Sequence, residues 1–210
     1  MYLKRTKFLI IGVKKSGFSI ARLLKKLGAS VVVYDKDNSD SVISNINKLK
    51  EIGVDFVSNW EESLKECDVV VLSPGVPVDN VIPITARSLK KRIVGELELS
   101  SQLSVEPIVA ITGTNGKTTT CSMVSHVLTN SNIENKLVGN IGTPFSNSVL
   151  EDFKGFLITE VSSFQLETVF RFTPHIACIL NVSEDHLDRH YNFENYLYLK
   201  SKILLNLRES

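Results

Sequence analysis

Short continuous apolar runs and stretches of helical periodicity take turns along the chain, separated by polar, glycine-bearing loops. KFLIIG (7–12) is apolar throughout and stops at Gly12, the pattern of a parallel strand buried on both faces. In SGFSIARLLKKLG (16–28), Ile20, Leu23, Leu24 and Leu27 recur at helical spacing and Gly28 supplies a stop. ASVVVYDKD (29–37) reads as the next strand, so these segments predict a βαβ unit whose first turn is GVKKSG (12–17). SDSVISNINKLKEIGVDFVS (39–58) predicts a helix and a short strand. CDVVVLSPGVP (67–77) predicts a strand running into a turn that exposes backbone N–H groups. After RIVGELELSSQL (92–103), the polar, proline-containing SVEP (104–107) separates two apolar stretches, and a domain boundary is expected near 95–106.

The same alternation then starts again. PIVAITGTNGKTTTCSMVSHVL (107–128) reads as strand, loop and helix, with Ile108, Val109 and Ile111 in the strand and Met123, Val124, Val127 and Leu128 as the apolar helix face. KGFLITEVSSFQLE (154–167) is apolar through Ile158 and then presents Glu160, Ser162, Ser163 and Gln165. HIACILNVSEDHLDRH (175–190) is apolar through Leu180 and then presents Asn181, Glu184, Asp185, His186 and Asp188. FENYLYLKSKILLNL (193–207) predicts a helix with a buried aromatic and leucine stripe, on which Lys200 and Lys202 read as solvated side chains of equal standing. The fold class is α/β, with a Rossmann-like parallel-sheet domain over 1–95 and a P-loop-type domain over 96–210.

Composition narrows the partners. With 210 residues, 43% of them hydrophobic, the chain can bury a core in one large or two modest domains. Its 24 Lys and Arg against 23 Asp and Glu give a formal charge of +1, so no broad attraction for nucleic acid or an anionic membrane is expected. Cys67, Cys121 and Cys178 are odd in number and lie in apolar contexts, which suits buried thiols in a reducing compartment, and the expected location is the cytoplasm. The apolar run from Phe8 to Val13 is cut by Lys14 and Lys15, too short for a signal segment or a membrane span.

Glycine-bearing loops carry the candidate chemistry. In GTNGK (113–117), backbone N–H groups and a helix start meet at one point, an anion site made by geometry. Gly113, Thr114, Asn115 and Gly116, with Lys117, Thr118 and Thr119 at the helix start, are the candidate ATP-binding residues. Lys117 supplies charge for the outer phosphates and Thr118 a hydroxyl for Mg²⁺. The usual G-x-x-x-x-G-K spacing fails, because Ile111 stands at its first glycine. Glu160, Thr118 and His186, brought together at strand ends, could hold one or two Mg²⁺ against a triphosphate. Taken alone, His186 reads as a hydrogen-bonded surface histidine beside acids. His126, within a helix, and His175, at a strand start, have weaker cases. Asn140, in GNIGTPF (139–145), is placed to donate to a phosphate oxygen or to hold a metal-bound water. In GVKKSG the second glycine of the dinucleotide fingerprint is Lys14, so a nucleotide-type ligand other than NAD is expected. Asp35 either holds a ribose hydroxyl or caps the loop.

ITGTNGKTTT (111–120), VGNIG (138–142), TEVSSFQLE (159–167) and LNVSEDHLDRH (180–190) together resemble the central ATPase domain of the Mur ligases of peptidoglycan synthesis. GVKKSG (12–17), LSPGVP (72–77) and VGELEL (94–99) resemble the branch of that family that adds D-glutamate. The first loop lacks the histidine expected of the L-alanine-adding branch, and the folate polyglutamate synthases share the ATPase core but lack this N-terminal wing. The resemblance implies that UDP-N-acetylmuramoyl-L-alanine lies against Lys15, Ser16, Asp35, Lys36 and the turn Ser73, Pro74 and Gly75, with Lys14 standing where the family has glycine. It implies that Lys117 meets the ATP phosphates, that Thr118 and Glu160 hold one Mg²⁺, and that His186 holds a second. Asn140, Ser162 and Gln165 fall on family positions near phosphate, metal or substrate. The family's carbamylated lysine, a further ligand of the second metal, falls on Lys200, counted from Tyr196. The reaction implied is ATP-dependent activation of a carboxylate as an acyl phosphate, followed by attack of the D-glutamate amine, with Lys117, His186 and Lys200 as catalytic residues. The family's C-terminal, D-glutamate-binding domain is expected to be absent, leaving a truncated ATPase domain that is monomeric and inactive alone. The competing reading is a degenerate or regulatory nucleotide-binding module.

Overall fold

The computed structural model describes residues 3–207, and the chain divides into two compact units after Glu96. In the first unit β1 (Lys7–Ile11), α1 (Lys15–Lys26), β2 (Ser30–Tyr34), α2 (Asp40–Glu51), β3 (Asp55–Phe56), α3 (Trp60–Glu66), β4 (Val69–Leu72), α4 (Val81–Ser88) and β5 (Arg92–Gly95) follow one another. The strands are all parallel, in the order β3-β2-β1-β4-β5. Strand order reverses between β1 and β4, where doubly wound sheets open a crevice at the carboxyl ends of their strands. Phe8 to Ile11 are buried, because β1 is central and covered on both faces. That is why it is encoded by a continuous apolar run and not by alternation. Leu9, Ile11, Val70 and Leu72 pack against Leu64, Ile82 and Ala86, each large side chain contributing about 2 kcal/mol of burial. Asn59 and Asn80 start α3 and α4 by accepting the amides of Glu61 and Ile82. The second strand is shorter than the 29–37 expected, and Asp35 lies just beyond its end.

The chain continues through α5 (Glu96–Ser101), β6 (Ile108–Thr112), α6 (Lys117–Asn130), β7 (Asn135–Gly139), α7 (Phe145–Leu150), β8 (Phe156–Glu160), α8 (Ser163–Leu166), β9 (Ile176–Ile179), α9 (Leu187–His190) and α10 (Phe193–Ser201). Its parallel sheet has the order β7-β8-β6-β9, so the loop after β6 lies between the ends of β8 and β9. Ile108, Ala110, Val138, Leu157, Leu166 and Phe172 belong to its main core. The buried carboxylate of Glu98 accepts the amides of Phe170 and Arg171, pinning the chain between α8 and β9.

Three expectations are corrected here. On α6 the buried residue is Cys121, with Val124 and Leu128 packed beside it, whereas Met123 and Val127 are more than 60% exposed. Positions 121, 124 and 128 share one helical face, and 123 and 127 fall on another. The last helix ends at Ser201 and tightens into a 3-10 turn over Lys202–Leu204, short of the 193–207 expected. Lys200 and Lys202 are both buried, at 1% and 7% exposure, each because its ammonium finds backbone carbonyls inside the protein. Among the described residues no helix is long and apolar enough to cross a membrane.

Candidate functional site: a phosphate loop with two lysines

Unlike α3, α4, α8 and α10, which carry side-chain caps, α6 begins at Gly116 with φ of 81° and no side-chain acceptor. The first amides of a 14-residue helix, at Lys117, Thr118 and Thr119, thus have no side-chain acceptor and could meet an anion. The earlier part of the loop is committed elsewhere. The amide of Thr114 donates to the Asn181 carbonyl, and the Asn115 backbone exchanges two hydrogen bonds with the Asn181 side chain at 3.0 and 3.1 Å. The Thr114 hydroxyl lies 3.0 Å from the Ser183 amide and 3.1 Å from the Tyr196 hydroxyl. Gly113, Thr114 and Asn115 therefore build the loop, and 116–119 form its open mouth. In the sequence Asn181 stands out only as a polar residue after a strand. A side-chain amide pairing with a loop 66 residues away leaves no mark in local pattern.

The Lys117 ammonium donates to the carbonyls of Gly113 and Thr114 at 2.9 and 2.8 Å. Lys200 reaches the same Gly113 carbonyl at 2.8 Å from α10, with its ammonium over the Tyr196 ring. Two cations share one carbonyl. Burial, then the charge of Lys117, push the Lys200 amine down to about 8, against the opposing pull of Asp185. Lys202 is also depressed by burial, but it caps the end of α8 through the Leu166 carbonyl at 2.6 Å. Geometry thus separates two lysines that sequence pattern left equal.

Glu160, the last residue of β8, accepts from the Thr118 hydroxyl at 2.7 Å and from the Asn140 amide at 2.6 Å. Ser162 and Gln165 form a reciprocal capping box at the start of α8, a job that the S-x-x-Q spacing encodes. His186 is an exposed residue at the start of α9, its Nε2 3.5 Å from Asp185 and its ring 4.8 Å from that of Phe164. Among the described residues no group of three or more His, Cys, Asp and Glu side chains is gathered to hold a metal ion. The Cys121 thiol, pushed up to about 12 by burial and then by Glu160, is no nucleophile here.

In the first unit, the loop after β1 abuts the turn after β4 through the Ser73 hydroxyl, which donates to the Gly12 carbonyl at 2.7 Å. Gly17 is obligatory, since a Cβ there would sit 1.8 Å from that carbonyl. Asp35 spends its two oxygens on the amides of Val13 and Asp37, at 2.7 and 2.9 Å, so it closes the loop. Lys14 has φ of −70°, a conformation any residue adopts, and its ammonium pairs with Asp37 at 2.9 Å. Lys15 and Ser16 open α1, Lys36 is exposed on the loop after β2, and Gly75 is exposed on the turn after β4, with Pro74 between Ser73 and Gly75.

Both loops lie in segments matched by known families. A family model described as "Mur ligase MurD-like, N-terminal domain" matches residues 6–95, and one described as "Mur ligase middle domain" matches residues 111–210. The chain belongs to the Mur ligase family. It is 43% identical over 212 residues to the UDP-N-acetylmuramoylalanine--D-glutamate ligase of Thermoanaerobacter pseudethanolicus, a match that covers 100% of this chain and 47% of the relative. The ligase of the same name from Clostridioides difficile is 40% identical, over 98% of this chain and 47% of its own. This Mur ligase chain thus spans about half the length of the curated relatives it matches. The fold is shared with the UDP-N-acetylmuramate:L-alanyl-gamma-D-glutamyl-meso-diaminopimelate ligase of Neisseria meningitides, with TM-score 0.63 and 19% identity over 98% of this chain and 69% of that one. It is also shared with the UDP-N-acetylmuramate-alanine ligase of Thermotoga maritima, with TM-score 0.57 and 22% identity over 97% and 48%.

The donor sets of this Mur ligase chain differ in what they fit. The Thr118 hydroxyl and Glu160 carboxylate are adjacent hard oxygen donors, which suits Mg²⁺. His186 with an unmodified Lys200 ammonium does not make such a site, because a cation repels a metal ion.

Proposed function

We propose that this chain is the nucleotide-handling part of an ATP-dependent ligase that joins D-glutamate to UDP-N-acetylmuramoyl-L-alanine. The L-alanine carboxylate takes the γ-phosphoryl group of ATP, and the D-glutamate amine then displaces phosphate from the acyl phosphate, leaving amide, ADP and phosphate. The 116–119 amides and Lys117 hold the outer phosphates, exchanging the bonds of Lys117 to its own loop for bonds to the anion. Thr118 and Glu160 hold Mg²⁺, which offsets charge on the phosphates when bound. Asn140 orients Glu160. Lys200, with its amine near 8, has a neutral fraction at physiological pH that can add carbon dioxide and release a proton to give a carbamate, and this conversion would replace a cation with an anionic oxygen donor able to join His186 in holding a metal ion. Lys15, Ser16, Lys36 and the Ser73 to Gly75 turn line the uridine nucleotide, and Asp35 holds their loop in shape. No residue of this chain is assigned to D-glutamate. We place the protein in the cytoplasm as a monomer, and its near-neutral charge supports a reading without nucleic acid.

The observation that carries this reading is the meeting of Lys117, Lys200 and an uncapped helix start beside the Thr118 and Glu160 pair. Calorimetric titration tests the substrate, using UDP-N-acetylmuramoyl-L-alanine and the same nucleotide sugar without alanine. Saturable binding that prefers the alanine-bearing ligand is expected. A folded chain that binds Mg-ATP but neither nucleotide sugar would make it a nucleotide-binding module instead.

A further inference from the structure

The one-turn helix α9 is bracketed by His186 and Tyr191, two non-glycine residues with φ of 52° and 70°. Left-handed backbone is costly for a residue with a Cβ, and it persists where the surroundings hold it. Those surroundings are specific. The Arg189 guanidinium grips the Glu167 carboxylate with two bonds, Nε to Oε1 at 2.9 Å and Nη2 to Oε2 at 2.6 Å, and both side chains are largely buried. Its neighbour His190 is 2% exposed, with Nε2 2.9 Å from the Ser163 hydroxyl. Between these anchors Phe164 is held on three sides, with Arg189 4.7 Å over its ring and the rings of His186 and His190 at 4.8 and 5.4 Å. His190 passes the stack to Tyr196 at 5.5 Å, whose hydroxyl meets Thr114 of the phosphate loop.

We infer that Arg189, His190 and Phe164 are positioning residues that clamp α9 onto α8, so that His186 is held in its left-handed backbone and fixed orientation beside Asp185. The use made of that orientation rests on the proposed function, whereas the orientation itself does not. A fork of two parallel bonds needs a guanidinium, so lysine at 189 keeps the charge and loses the clamp.

The experiment takes the isotopically labelled chain and its Arg189→Lys variant, and reads the intraresidue amide-to-Hα cross-peak of His186, which is strong at positive φ. Mg-ATP affinity and the urea midpoint are measured on the same samples. The cross-peak is expected to weaken toward that of an ordinary residue, and Mg-ATP binding to weaken about ten- to a hundredfold, the range for groups that orient a ligating histidine. Phe164→Leu, which leaves the fork intact, is the second variant should Arg189→Lys not fold, and the same loss is expected of it. An unchanged cross-peak in a folded variant, with only a lower urea midpoint, overturns the proposal. A lost cross-peak with unchanged Mg-ATP binding supports the clamp and removes His186 from the phosphate chemistry.

Discussion

The loop after β1 and the loop after β6 each leave a buried parallel strand, pass a glycine with positive φ and enter a long helix without a side-chain cap, yet their lysines go opposite ways. Lys14 and Lys15 stand in solvent, and Lys14 spends its charge on Asp37. Lys117 and the distant Lys200 of α10 turn inward onto the Gly113 carbonyl, where burial and then the charge of Lys117 depress the Lys200 amine. The same local motif therefore serves two physical ends. A loop with solvated charge can hold an anion by shape and backbone. A loop with crowded, desolvated charge gains far more from an arriving polyanion, because that anion relieves a repulsion the fold has already built.

The comparison can be broken at several points. Gly17→Ala has the largest expected effect, since its Cβ would meet the Gly12 carbonyl at 1.8 Å. The first unit should lose about 3 kcal/mol or more in urea unfolding while the second unit's Mg-ATP binding survives. Next comes acid. His190 is held neutral, its pKa lowered from 6.5 to about 4 by burial first and then by the charges of Arg189, His186 and Lys200. The unfolded chain thus binds the extra proton earlier, so stability is full above pH 6.5 and falls as pH drops toward 4, by at most roughly 3 kcal/mol. His190→Gln should flatten the pH dependence of the urea midpoint in that window. Asn181→Ala removes both side-chain bonds to Asn115 and should weaken Mg-ATP binding by about 1–2 kcal/mol, with no change in nucleotide-sugar binding. Smallest is Lys14→Ala: because the pair with Asp37 is solvated, nucleotide-sugar affinity should stay within error of the parent chain in calorimetry.

Much of this was legible in the chain. β1, β4, β6 and β8 are central or near-central parallel strands, so unbroken apolar runs mark them, and the loops follow where the runs stop. Glu160 was visible for the same reason, as the first acid after such a run. Pairing across the fold was not visible. Asn181 acts through an amide matched to Asn115, and Arg189 through a fork matched to Glu167, and neither match has a local period. The buried lysines were hidden because a lysine on an amphipathic helix normally reaches water, and here carbonyls replace it. The phase of α6 was missed because Cys121, a small apolar residue, sets the buried face while the larger Met123 does not.

The central claim is that the two loops are separate sites, of which the second depends on its inward-turned lysines. Calorimetric titration of the Lys117→Ala chain with Mg-ATP and, separately, with UDP-N-acetylmuramoyl-L-alanine tests it most directly. Mg-ATP affinity should fall by about 2–3 kcal/mol while nucleotide-sugar affinity stays within error of the parent chain. A folded variant that keeps its Mg-ATP affinity, or that loses both ligands together, would contradict the account.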